Sequence, residues 1–263
     1  TKSIEDLLLR SRVSWRYYDS ALGSYSKAIQ IHLNAAQNQI VSVGLAYNPW
    51  DPEAAKAESY NASFVTHFKM NTQFYADARI GSLPNLSWVI PAPDDSDHAP
   101  HNSTTAQTWL ASIVNAVEAS PEWNTTALYI TWDDYGGFYD HVAPPKYDGQ
   151  QLAFRVPLIV VSPYVRQGAV THAMGYFESV LRLMEWRFHL GCIAVLDCNA
   201  PLPINEFNWS QTPRAPIQFP TNFSQASYPY DPTWNRTGAV PVGQYVPPTE
   251  FTYFPNGEGP DID

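Results

Sequence analysis

Residues 130–145, ITWDDYGGFYDHVAPP, set two adjacent carboxylates, Asp133 and Asp134, at the end of an apolar run, with Gly136 and Gly137 close behind. Successive side chains on a strand point to opposite faces, so neighbouring acids inside a strand cannot share one ligand. At the strand's end, where glycines free the backbone, both can turn towards one point. Ligands of open α/β sheets bind at the carboxyl ends of the strands. Two hard oxygen donors there suit a divalent metal ion. An acidic turn that caps the following segment fits the same residues equally well.

The elements that would carry this pair alternate in type. IVSVGL (40–45), LSWVIP (86–91), TALYITW (126–132) and VPLIVVSP (156–163) read as buried strands. The spacing predicts a helix over 106–119, with Trp109, Ile113, Val114 and Val117 on one face. A second helix is expected over 175–190, with Phe177, Val180, Leu181, Met184 and Phe188 on one face and Gly191 as its stop. Strands alternating with helices imply an α/β sandwich around a mostly parallel sheet. We read residues 1–200 as this domain. Beyond it, twelve of the 23 prolines crowd into a stretch rich in aromatics and without periodicity. Disordered tails are poor in aromatics, so residues 201–263 are expected to form an irregular arm packed on the domain.

The formal charge is −10, from 15 Lys and Arg against 25 Asp and Glu, which argues against a nucleic-acid partner. No apolar run is long enough for a transmembrane segment. The first residues lack the apolar centre of a signal peptide, so an exported form is expected to have lost its leader. Cys192 and Cys198, in CIAVLDC, are expected to form a disulfide, the alternative being two buried thiols. Seven N-x-[ST] sequons stand at Asn61, Asn85, Asn102, Asn124, Asn208, Asn222 and Asn235. With few charges and the cysteine pair, they favour an exported glycoprotein, extracellular or at the cell surface.

WDDYGGFYDHVAPP resembles the signature of the phosphoesterase family that holds non-specific phospholipases C and acid phosphatases, within the alkaline phosphatase superfamily. FYADARIGSLPNLSWVIPAPDDSDHAPHN resembles its helix, Gly-x-Leu-Pro turn, strand and His-containing loop. WLASIVNAVEASPEWNTTALYITWDD resembles its next helix and strand, and FRVPLIVVSPYVRQGAVTH and SVLRLMEWRFHLG those that follow. The resemblance runs in the family's order from about Val13 to Gly191.

It implies an alkaline-phosphatase-like sandwich, a phosphate ester substrate and a divalent metal ion held by Asp133 and Asp134. His98 aligns with a family histidine beside the phosphate, where it would protonate the leaving oxygen or hold a phosphate oxygen. His101 and His141 are weaker candidates for binding substrate, and His141 fits a structural role in the Gly-Gly turn as well. His172 reads as a loop residue; His32, His67 and His189 as surface or core. In the family's chemistry a metal-activated Ser or Thr attacks phosphorus, giving a phospho-enzyme that water hydrolyses.

Two departures qualify this. The family's early Glu-Asn-type metal motif and its nucleophile have no counterpart, so the chain is expected to lack the N-terminal portion, which would act as a separate piece or belong to residues not given. The His-His pair that many members carry is replaced by Ala46 and Tyr47 in LAYNPWDP. An inactive phosphoesterase-like glycoprotein, serving as a surface scaffold or binding component, is the alternative function.

Overall fold

The computed structural model describes residues 3–19, 31–34, 39–43, 66–98, 103–136, 139–147 and 149–223, with 31–34 and 39–43 as backbone. Ser3 opens helix α1 (Ile4–Arg10) with a capping box: its hydroxyl accepts from the Asp6 N–H, and its own N–H donates to Asp6 Oδ2 at 3.1 Å. The chain then enters β1 (Trp15–Asp19), the centre of a parallel three-stranded sheet ordered β4-β1-β5, with β4 at Phe68–Met70 and β5 at Leu86–Ile90. β2 (Ile31–Asn34) and β3 (Gln39–Val43) form an antiparallel pair.

Alternation along β1 sends its aromatics to two cores. Trp15 and Tyr17 join Ile4, Leu7 and Leu8 of α1 and Leu190, with Leu181, Met184 and Phe188 packed against them. Tyr18 faces the other way, into Phe74, Ile113, Val117 and Trp123. Phe74 belongs to α2 (Asn71–Ile80), Ile113 and Val117 to α3 (Ser103–Glu118), and Leu181, Met184 and Phe188 to α4 (Phe177–Phe188). The result is a mixed α/β fold. Gly81 ends α2 in the left-handed conformation at φ 66°, and a Cβ there would lie 3.3 Å from Pro121 Cβ.

β6 (Leu128–Thr131) pairs with β9 (Leu158–Val161). Between them β7 (Lys146–Tyr147) and β8 (Gln150–Gln151) make a short antiparallel pair. A last helix, α5 (Val195–Asn199), follows α4, and the Cys192–Cys198 disulfide closes the loop that leads into it. By contacts the chain divides into two units, residues 1–130 with 159–221, and residues 131–158 with 222–263.

Three expectations meet a different outcome. α4 stops at His189, which takes the left-handed C-cap itself at φ 54° and returns its N–H to the last turn; Gly191 lies two residues beyond. Phe177, expected on the buried face, is 47% exposed because it opens the first turn. The strands expected to be buried are not: β5 is half-buried along its length, β6 half-buried with Thr131 exposed, and in β9 Leu158 and Ile159 are 44% and 45% exposed, since among the described residues its only strand neighbour is β6.

Residues 201–221 belong to the first unit and bond to its other segments. Arg214 donates to both oxygens of Glu118, with Nη2 to Oε1 at 2.6 Å, and stacks 4.9 Å from the Trp123 ring centre. Asn115 and Phe219 exchange two hydrogen bonds of 2.8 Å. Tyr129 donates to the Pro203 carbonyl at 2.9 Å.

Candidate functional site

β6 ends at Thr131, and the two acids follow after Trp132. Thr131 Oγ1 donates to the Pro157 carbonyl at 2.9 Å, tying the strand's end to the segment before β9. Asp133 and Asp134 are both exposed. Asp134 Oδ1 accepts from the Gly136 N–H, which makes an Asx turn, and Gly136 sits at φ 68° where only glycine is unstrained. One oxygen of Asp134 is therefore spoken for. Asp133 makes no hydrogen bond or ion pair among the described residues. The pair thus has the oxygen chemistry a hard divalent ion takes, and three carboxylate oxygens that no backbone amide holds. Among the described residues, no group of three or more His, Cys, Asp or Glu side chains could hold a metal ion.

The rest of the signature folds back on residues 154–155. Asp140 receives a bidentate pair from Arg155, Nε to Oδ2 at 2.9 Å and Nη2 to Oδ1 at 2.8 Å, and also accepts from the Val142 N–H at 3.0 Å. The Arg155 contacts hold the Asp140 carboxyl down at about 2, against the partial burial that would raise it. The Tyr135 and Phe154 rings meet edge to face with centres 5.0 Å apart. His141, exposed, places Nδ1 3.9 Å from Asp140 Oδ1.

His98 belongs to the first unit, in the loop after the 3₁₀ turn Pro93–Asp95, and is exposed; its N–H donates to Ser96 Oγ at 3.3 Å. Asp133, Asp134 and His141 belong to the second unit. His172 lies exposed in the loop before α4, while His67 stacks on Trp15 at 4.1 Å in a structural role. Of the sequons, Asn85, Asn124 and Asn222 are exposed and Asn208 is half-buried. His101, Asn61, Asn102, Asn235, Ala46 and Tyr47 lie outside the described residues.

Two features escaped the sequence. The Asp140–Arg155 pair joins residues fifteen apart with no periodic signal; opposite charges flanking the hairpin β7–β8 were the available clue. Asp19 ends the central strand of the parallel sheet at 1% exposure, opposite Met70 and Ile90 in register. An acid at the end of a strand is the pattern Asp133 shares.

Residues 1–191 match the model of the phosphoesterase family. Among curated proteins, non-specific phospholipase C6 of Arabidopsis thaliana is 35% identical across 41% of this chain and 25% of its own length. Phospholipase C B of Mycobacterium tuberculosis is 27% identical across 89% of this chain and 46% of its own. The non-hemolytic phospholipase C of Burkholderia pseudomallei is 29% identical across 43% of this chain and 20% of its own. The chain spans less than half the length of each of these relatives.

Proposed function

The chain belongs to the phosphoesterase family, and from that premise we propose that it serves a metal-dependent phosphoric ester hydrolase of the phospholipase C or acid phosphatase type. The observation that carries this is the acid pair at the end of β6, exposed and with Asp133 unpartnered among the described residues. Asp133 and the second oxygen of Asp134 would hold the metal ion. When bound, the metal would neutralise phosphate charge and lower the pKa of an attacking hydroxyl.

The chain's own residues supply the remainder. The Asx turn at Gly136 fixes the direction of the Asp134 carboxylate, so less side-chain freedom is lost on binding. His98 is assigned to the substrate phosphate, holding an oxygen or passing a proton to the leaving group. The nucleophile is assigned to residues outside these 263. An alkaline-phosphatase-like sandwich is the fold this assignment carries with it, and an exported, glycosylated protein the setting. The exposed sequons at Asn85, Asn124 and Asn222 favour that setting.

One observation favours a second role. The Asp134–Gly136 bond is also what an acidic turn without a metal would make. A catalytically silent scaffold would keep it. Hydrolysis of a chromogenic phosphomonoester and of a choline phosphodiester by the intact protein, with and without a chelator, separates the two. Chelator-sensitive hydrolysis of either ester is expected. No hydrolysis of either ester would favour the scaffold.

A further inference from the structure

We propose that Arg155 is a positioning residue for the acid pair, acting through Asp140 to hold the segment that carries Asp133 and Asp134; this rests on the metal-site assignment above. Three ties, all inside the second unit, join residues 131–140 to residues 154–157. Thr131 Oγ1 donates to the Pro157 carbonyl at 2.9 Å, the Tyr135 ring meets Phe154 edge to face at 5.0 Å, and Arg155 grips Asp140 with two hydrogen bonds of 2.9 and 2.8 Å. The acids stand between the first tie and the second. Of the three, only the Arg155 tie is charged and two-pronged, so it fixes orientation as well as distance. Asp140 spends its Oδ1 a second time on the Val142 N–H, at 3.0 Å, which stops the carboxylate from swinging with the arginine.

The Asp140 side chain is 14% exposed and the Arg155 side chain 61% exposed. Solvent at the arginine screens the pair, yet the lowered Asp140 pKa means that the pair contributes to stability as well as to placement. Neither residue belongs to either hydrophobic core cluster, so the bidentate geometry fits placement of the turn better than support of the core. Lysine cannot reproduce a two-pronged grip, because an ammonium is a point charge.

The test uses the intact protein and Mn²⁺ as the probe, with free Mn²⁺ counted by electron paramagnetic resonance, alongside turnover of a chromogenic phosphomonoester. Arg155→Gln and Asp140→Asn should each weaken Mn²⁺ binding and turnover by roughly tenfold, the range for groups that orient metal ligands. The double variant should be no worse than either single one, with every variant compared at a temperature where circular dichroism shows it folded. Added guanidinium should restore part of the Mn²⁺ affinity of an Arg155→Gly variant, and Arg155→Lys should recover little. Asp133→Asn is the control. If Arg155→Gln binds Mn²⁺ and turns over like the wild type while Asp133→Asn loses both, the positioning role is overturned alone. If Asp133→Asn binds Mn²⁺ like the wild type, the metal-site assignment fails and the positioning role falls with it.

Discussion

Glu185 and Asp197 compete for one backbone donor: the Ile193 N–H reaches Asp197 Oδ2 at 2.8 Å and Glu185 Oε1 at 3.2 Å. Both acids are 1% exposed, and Arg182 Nη1 stands 3.8 Å from Glu185 Oε2. Burial, and then the neighbouring Asp197, push the Glu185 carboxyl up to about 7. Burial works against charge on Asp197 too, but the Glu185 proton and the Ile193 and Ala194 amides outweigh it and hold its pKa low.

The pair makes stability depend on pH. Between the ordinary glutamate value of 4.5 and about 7, the native state keeps a proton that the unfolded chain has released. The contribution of Glu185 is full below 4.5 and is lost as pH rises through 7, about 3 kcal/mol. Asp197 acts in the opposite sense: its contribution is present above its unfolded value of 3.8 and is lost as pH falls through its lower folded value. Denaturant unfolding at pH 5 and at pH 8 should show the wild type more stable at pH 5. Glu185→Gln, which can donate to Asp197 at any pH, should flatten that difference.

Cys192 and Cys198 close the loop that holds Asp197. Neither thiol should take an alkylating reagent in the native protein until a reductant is added, as mass spectrometry of the labelled peptides would show. Labelling without reductant would remove the bond.

Glu118 has a fully buried side chain, and its charge is met by Arg214 and by the Ile217 N–H. Arg214→Ala leaves that carboxylate inside without its cation. A loss of about 3 kcal/mol in unfolding free energy is expected. Glu118→Gln combined with Arg214→Ala should lose less than Arg214→Ala alone, because the stranded charge is gone.

His98→Ala should lower turnover of phosphate esters. If His98 passes a proton, the loss grows as the leaving group worsens. If it holds a phosphate oxygen, the loss is the same across a leaving-group series. Rates for a nitrophenyl and an alkyl ester tell the two apart.

Local pattern carried a good part of the fold. Leu86–Ile90, Leu128–Thr131 and Leu158–Val161 are strands where apolar β-rich runs predict them, and Ser103–Glu118 is a helix whose Ile113, Val114 and Val117 are buried as their spacing requires. Helix ends were less legible. His189 closes α4 in a conformation that glycine usually takes, so Gly191 drew the prediction two residues too far. Burial of β9 could not be read from its apolarity, because exposure depends on which strands lie beside it. In the candidate site the acid pair stood out by type and spacing. Arg155 did not, since its meaning comes from a partner fifteen residues away, and Arg214 still less, with Glu118 ninety-six residues off.

The most direct test of the central claim is turnover by Asp133→Asn in the intact protein, against the wild type, with a phosphomonoester and a choline phosphodiester. A loss of at least a hundredfold on the preferred ester, with the far-ultraviolet circular dichroism and thermal midpoint unchanged, is the predicted result. Turnover equal to the wild type in a protein that hydrolyses either ester would contradict it, and would leave Asp133 and Asp134 as an acidic turn.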